Sequence, residues 1–272
     1  MQKNKTIMIL SVVIPCYNHG EFVQDAIDSV LTYQEKSIEI IIVDDGSTDL
    51  ATINKIDELK KAGHHVIQHK NSGLAFSRNA GILAARGKYI LPLDADNKIK
   101  SDYIRKGIKL LDQGICDIVY AKPSFFGEDI PERKFLPYEF LGHRLFANNY
   151  IDACAIFRKS VWIDTGGYDE KMPFQGQEDW EFWLNSYTKG FKFKFVDEEL
   201  FEYRIDKNSM ITQIVSKKLE ANQNYVLTKY KDEIFNYIEQ NYCIQQFYEN
   251  DQKNYLRSSI KYFAKYFKTI FK

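Results

Sequence analysis

Apolar positions in this chain follow two rhythms that take turns along its first third. Residues 7–14 form a continuous apolar, β-branched run stopped by Pro15, which cannot donate to a central ladder, and predict a strand. Residues 21–33 carry Phe22, Val23, Ala26, Ile27, Val30 and Leu31 at helical spacing. Residues 38–43 are nearly all isoleucine and valine, the composition of a strand covered on both faces. A helix over about 50–62 follows, with Ser47 and Asp49 as candidate caps. Then come a short strand at 66–69, a turn at Asn71-Ser72-Gly73, a helix over 74–85 and an apolar strand at 89–93. Strand and helix in this alternation imply an α/β fold with a mostly parallel, right-handed, doubly wound sheet flanked by helices.

The second half is less regular. It predicts a helix at 101–113, a strand at 117–121, an irregular stretch over 125–144, a strand at 151–157 and a short helix at 159–165. The stretch from Gly176 to Trp183 opens a helix that runs to about 189, and alternating aromatics suggest strands at 191–195 and 199–203. Residues 215–250 read as polar and helical. From 255 onward Leu256, Ile260, Phe263, Phe267 and Ile270 share one helical face, while Arg257, Lys261, Lys265, Lys268 and Lys272 occupy others. That pattern suits a helix lying in a membrane interface; the alternative is a terminal helix packed on its own domain or on a second copy.

Composition narrows the classes. With 272 residues, 44% hydrophobic and 27% charged, the chain is globular and long enough for one large domain with an appendage. Lysine plus arginine equal aspartate plus glutamate at 37 each, which argues against a nucleic-acid partner. Four scattered cysteines form no C-x-x-C pair, so a reducing compartment is the expectation. No stretch reaches the roughly 18 apolar residues of a membrane span. The expected location is cytoplasmic, at the inner face of the membrane if the tail binds lipid.

Candidate chemistry gathers at strand ends. The first strand runs into Cys16-Tyr17-Asn18, the second into Asp44-Asp45-Gly46-Ser47-Thr48-Asp49, the fourth into Asp94-Ala95-Asp96-Asn97. An ionised carboxylate at the end of a buried strand is costly unless a cation pairs with it. Ligands bind at the C-terminal strand ends of open α/β sheets. Two hard oxygen donors there suit Mg²⁺ or Mn²⁺, and with it a phosphate-bearing substrate. A polar turn accounts for one such loop equally well; three on one edge favour a site.

In order along the chain, Ser11-Val12-Val13-Ile14-Pro15-Cys16-Tyr17-Asn18, Val43-Asp44-Asp45-Gly46-Ser47-Thr48-Asp49, Arg78-Asn79-Ala80-Gly81, Asp94-Ala95-Asp96 and Glu178-Asp179 resemble the family 2 glycosyltransferases of GT-A fold, over about residues 8–210. The resemblance implies an inverting, metal-dependent enzyme that moves a single hexosyl or N-acetylhexosaminyl group. The donor would be a nucleotide sugar, UDP-linked, and the acceptor a glycan or lipid-linked saccharide in cell-surface polysaccharide synthesis. It implies that Tyr17, beside Pro15 and Asn18, lies against the base, and that Asp45 with Asp44 binds base or ribose. Gly73, Arg78 and Ala95 would complete the nucleotide contacts. Asp94 would sit nearer the ribose and Asp96 on the Mn²⁺ or Mg²⁺. Asp179 would be the catalytic base with Glu178 its neighbour, and Gly176 would let backbone approach the sugar. Where the family often places a histidine after Tyr-Arg, this chain has Tyr203-Arg204-Ile205-Asp206, and Asp206 is the candidate third metal ligand. The Gln-x-x-Arg-Trp signature of processive relatives is absent.

The expected division is a glycosyltransferase domain over 1–212, nucleotide-binding at about 8–98 and acceptor-facing at about 99–212, then a helical extension over 213–272. His64, His65 and His69 read as structural or solvated, and Trp162, Trp180 and Trp183 as core. His143 and Arg144 could touch an acceptor. Two other readings stay open: a catalytically silent nucleotide-sugar-binding module, and a nucleotidyltransferase, which would ordinarily show a Gly-rich loop after the first strand.

Overall fold

The alternation is realised around one mixed sheet of eight strands in a computed structural model that describes residues 8–35, 37–207 and 216–253. The tail pattern over 255–272 lies outside the described residues. In chain order the elements are β1 (Leu10–Cys16), α1 (Val23–Leu31), β2 (Ile38–Asp44), α2 (Leu50–Lys61), β3 (His65–Gln68), α3 (Leu74–Ala84) and β4 (Tyr89–Pro92). Then follow β5 (Lys98–Ile99), α4 (Ser101–Asp112), β6 (Ile118–Gly127), β7 (Ile156–Arg158), α5 (Lys159–Thr165), α6 (Glu178–Thr188), β8 (Phe193–Ile205), α7 (Ser216–Lys229) and α8 (Lys231–Lys253).

The sheet order is β3-β2-β1-β4-β7-β6-β8-β5. Strands β1 to β4 are mutually parallel, so their C-terminal ends share one edge. Strand β7 runs antiparallel to both β4 and β6, and β5 antiparallel to β8.

Period-two alternation along β1 feeds both faces of the sheet. Leu10, Val12 and Ile14 join a buried cluster with Ile27 and Val30 of α1 and Ile104 and Leu111 of α4. Val13 faces the other way, toward α3, at a very close approach. A Cβ on Gly81 would lie 2.3 Å from Val13 Cγ1, so only glycine lets α3 pack here.

Three expectations are corrected. The stretch predicted as strands at 191–195 and 199–203 is one strand, β8, paired along its length with β6. Pro123 interrupts β6 within a register shift, and the facing Asp197, Glu198 and Glu199 are exposed at that bulge, which reads in sequence as a break. For the same reason β6 outruns the predicted 117–121 and includes Phe125, Phe126 and Gly127. The strand predicted at 151–157 begins only at Ile156, and 151–155 is irregular chain, buried except at half-buried Asp152.

Contacts divide the chain into two compact units, Met1–Val226 and Leu227–Lys272. In the second, α8 carries exposed Phe235 and Ile238. No described helix is long and apolar enough to cross a membrane.

Candidate active site

The loops after β1 and β2 are stapled together by one side chain. Asn18 takes a left-handed backbone (φ 54°), and its Oδ1 accepts the amides of Thr48 (2.8 Å) and Asp49 (3.2 Å). Its own amide donates to Ser47 Oγ (3.0 Å). Pro15 is buried, whereas Tyr17 in the same loop is exposed. Asp44 is buried and accepts from the Ser47 amide (3.0 Å) and Gln68 Nε2 (2.8 Å), so it braces the loop from inside. Asp45 accepts the amides of Ser72 (2.7 Å) and Gly73 (3.0 Å), with His69 Nδ1 3.3 Å away. A carboxylate has about four acceptor sites, so Asp45 keeps capacity for a ligand after these bonds.

Asp45 thereby fixes the start of α3. Gly73 there has φ 94°, a conformation other residues rarely adopt. The helix then delivers Arg78 and Asn79. Asn79 Oδ1 accepts Trp162 Nε1 (2.8 Å) and the Tyr168 amide (2.9 Å), and its Nδ2 donates to the Tyr168 carbonyl (2.9 Å). Arg78, 1% exposed, spreads its fork across two elements. One nitrogen donates to Asp94 Oδ1 (2.8 Å) and the other to Glu178 Oε1 (2.5 Å), while the Tyr168 ring lies 5.4 Å from the guanidinium. Burial alone would loosen its proton; Asp94 and Glu178 reverse this and hold it well above the usual arginine range. The Arg78 Nε is buried without a partner. Within Arg78-Asn79-Ala80-Gly81, then, Arg78 supplies charge, Asn79 tethers a loop and Gly81 permits the close approach of α3 to β1.

Asp94 and Asp96 flank buried Ala95 just beyond β4. Burial first, and then the charge of Asp94, push Asp96 up to about 6. Arg204 of β8 steadies this turn: its amide donates to Asn97 Oδ1 (2.9 Å) and its Nε to the Asp96 carbonyl (3.2 Å). Its guanidinium lies between the rings of Phe22 (4.1 Å) and Phe126 (4.5 Å). Asp206 follows directly after β8. Among the described residues no three His, Cys, Asp or Glu side chains are placed to hold a metal, so Asp94, Asp96 and Asp206 do not form a ready-made cage.

At the start of α6 the backbone is held in unusual conformations: Gly176 at φ 93° and, without glycine's freedom, Gln177 at φ 68°. Asn222 of α7 clamps this approach, donating to the carbonyls of Gly176 (2.9 Å) and Phe174 (3.0 Å) and accepting the Phe174 amide (2.9 Å). Asp179 Oδ1 accepts the Trp180 amide (2.8 Å) and Oδ2 accepts Asn149 Nδ2 (2.8 Å). Asn149 is itself locked, because its Oδ1 accepts the Ile151 amide (3.1 Å). Burial, followed by the neighbouring Glu178, pushes Asp179 up to about 7. That value suits a group that takes a proton near neutral pH. Trp180 and Trp183 are buried in the core and donate to the carbonyls of Leu145 (2.7 Å) and Ile151 (3.1 Å).

A cavity of about 260 Å³ opens beside Asp179, with Asn149 and Asp152 in its wall. Burial, then Asp94 and Asp179, push Asp152 up to about 8. The structure therefore brings Arg78, Asp94, Glu178 and Asp179 into one cluster and ties Asp45 to it through Gly73 and α3. Sequence reasoning missed Asn149, Asp152, Arg204 and Asn222. Asp152 had a signal: it is an acid inside the apolar run Ile151-Asp152-Ala153-Cys154-Ala155-Ile156, the same anomaly that singled out Asp94.

A model of the family "Glycosyl transferase family 2" matches residues 11–164. TuaG of Bacillus subtilis, a glycosyltransferase named for teichuronic acid biosynthesis, is 31% identical over 257 residues, covering 91% of this chain and 98% of that protein. The glycosyltransferase EpsJ of the same organism is 28% identical, covering 75% of this chain and 63% of that one. Among solved structures, S. aureus TarS 1-349 in complex with UDP-GlcNAc aligns with a TM-score of 0.63 at 19% identity, covering 79% of this chain and 64% of that one. The mannosyltransferase PcManGT of Pyrobaculum calidifontis, in complex with GDP-Man and Mn²⁺, aligns at 0.58 and 16% identity, covering 74% of this chain and 58% of that one. At those identities the likeness speaks for the fold.

Proposed function

The chain belongs to glycosyl transferase family 2, and from that premise we propose that it is an inverting, divalent-metal-dependent glycosyltransferase. It transfers one hexosyl or N-acetylhexosaminyl group from a nucleotide sugar, UDP-linked, to a saccharide acceptor of the cell surface. The observation that carries this reading is the Arg78 fork, which joins Asp94 of the strand edge to Glu178 at the head of α6, one residue from Asp179. Family membership sets the nucleotidyltransferase alternative aside.

In this reading Tyr17, Asn18 and Asp45 receive the nucleoside, with Asp94 nearer the ribose. Asp96 fits a divalent cation by its chemistry: it is a half-buried carboxylate whose proton affinity is raised by desolvation and by a second acid, a tension that a cation removes. Mg²⁺ and, by the same hard-oxygen logic, Mn²⁺ are commonly held by one or two carboxylates plus substrate phosphates, so a three-acid cage is not required. Asp96 and Asp94 would hold the ion, with Asp206 as a further candidate. Such an ion would supply Lewis-acid neutralisation of the departing diphosphate.

The residues of the chain do the rest. Asp179 Oδ2 takes the proton of the acceptor hydroxyl as that oxygen attacks the anomeric carbon. The bond from that carbon to the phosphate oxygen breaks, and the nucleoside diphosphate leaves with the electron pair. A single displacement inverts the anomeric configuration, as in inverting hydrolases with the hydroxyl in place of water. Asn149 holds the base carboxylate, and Arg78 keeps neighbouring Glu178 paired.

The relative named for teichuronic acid biosynthesis and the UDP-GlcNAc complex of TarS support a cell-surface polysaccharide and a UDP-sugar. The test is a panel of nucleotide sugars scored for Mn²⁺- or Mg²⁺-dependent release of nucleoside diphosphate, with NMR of the product anomer. An α-linked donor is expected to give a β-linked product. Retention of configuration, or nucleotide binding with no turnover across the panel, overturns the proposal.

A further inference from the structure

The cavity beside Asp179 has a composition that restricts what can enter it. Its carboxyl groups are Glu132, Asp152 and Asp179, and among the described residues none that lines it is a lysine or arginine. Its apolar wall is made of the rings of Phe135, Tyr150 and Tyr203. We propose that it receives the terminal monosaccharide of the acceptor and selects a neutral or amino sugar, rejecting uronic acids and sugar phosphates. This rests on the reading of Asp179 as the base.

Size comes first. About 260 Å³ is below the roughly 300–1,000 Å³ of pockets that enclose drug-sized ligands, so the space suits one ring and not a chain. The rings are held in place. Phe135 meets Tyr203 edge-on at 5.3 Å, and Tyr150 stacks on Tyr138 at 4.4 Å while its hydroxyl accepts the Leu141 amide (3.0 Å). Fixed aromatic surfaces offer packing to the C–H faces of a pyranose.

Charge supplies the selection. Beyond burial, Asp94 and Asp179 oppose the ionisation of Asp152, and Glu178 and Asp94 oppose that of Asp179. The cation that opposes this, Arg78, is buried and shared between Asp94 and Glu178. Arg144 lies over the Tyr138 ring (5.7 Å), one ring removed from the lining Tyr150. A uronate or phosphate would bring a further negative charge against Glu132 and ionised Asp179, and would tighten the proton on Asp179 when that carboxylate must accept one. An ammonium group would be favoured for the opposite reason.

The test uses the full chain, with and without UDP and Mn²⁺, and four methyl glycosides of one sugar: the parent, its 2-amino form, its uronide and its 6-phosphate. Binding is read by saturation-transfer NMR and titration. The parent and amino forms are expected to bind, with the uronide and phosphate at least about tenfold weaker. The double variant Glu132→Gln with Asp152→Asn should narrow that gap to within about threefold. If the double variant does not fold, exposed Glu132→Gln alone should narrow the gap in part. Equal or tighter binding of the charged glycosides, binding of none of the four, or a gap unchanged by the substitutions overturns the proposal. Metal-dependent donor hydrolysis by the unmodified chain separates the two levels: its loss speaks against the transferase reading, its presence leaves only the acceptor class in question.

Discussion

Replacing Arg78 with methionine removes the one cation between two acids and leaves its hydrophobic stem in place. The two pairs are not equal: the Glu178 side chain is 6% exposed and that of Asp94 32%, so most of the loss falls on Glu178. Breaking a buried pair by removing one partner costs roughly 3–5 kcal/mol, because the remaining charge stays desolvated. An exposed pair such as Lys88 with Asp112, each more than half exposed, contributes about 0–1 kcal/mol and serves as the control. Urea unfolding at pH 7.5 should therefore show a deficit of about 3–5 kcal/mol for Arg78→Met and under about 1 kcal/mol for Lys88→Met. The deficit should also depend on pH. Folding raises Asp179 to about 7 and Asp152 to about 8, so each favours the native state most at low pH and loses that contribution as pH climbs through those values. Arg78 holds both values down, so its removal raises them further and steepens the loss. The Arg78→Met deficit should shrink toward pH 5 and grow toward pH 8. A deficit below about 1 kcal/mol at pH 7.5, or one flat across that range, would refute the idea that this guanidinium holds the cluster together.

Transfer rate at saturating substrates should rise with pH through about 7, because the working form of Asp179 is the ionised one; a rate that falls through that range contradicts the assignment. Asn149→Ala should lower kcat by about tenfold with donor KM little changed and displace that pH limb, whereas a role confined to folding would leave the limb in place. Asp96→Ala should abolish the Mn²⁺ dependence of nucleotide binding in calorimetry, and an unchanged dependence would move the metal elsewhere. Gly81→Ala should cost roughly 1–3 kcal/mol in thermal or urea unfolding, since its Cβ would meet Val13 at 2.3 Å; a neutral effect would mean that α3 and β1 separate easily.

The parallel half of the sheet is legible in the sequence because its strands are continuous apolar runs, each followed by a helix-period segment. Asp44, Asp45, Asp94 and Asp96 are legible because acids at the ends of such runs need a reason to be there. What escapes is whatever depends on contacts between distant segments. Asn149, Arg204 and Asn222 are ordinary polar residues in their local sequence, and acquire their roles only when they meet Asp179, Asn97 and Gly176. Asn222 in particular falls in the stretch expected to be a helical extension, and it clamps the loop ahead of the candidate base. Strand β8 looks like two strands in sequence because its exposed Asp197-Glu198-Glu199 lies at a bulge set by Pro123 on the neighbouring strand, a cause located about seventy residues away.

The central claim is that Asp179 removes a proton in the chemical step and does not hold the donor. Asp179→Asn keeps the shape and the bond from the Trp180 amide while removing the basicity. Nucleotide-sugar affinity by calorimetry and transfer by product release should be measured on the same preparation. The account predicts affinity within about threefold of the unmodified chain and transfer lower by about 10²–10⁴-fold. Affinity and transfer falling together, or transfer left intact, would contradict it.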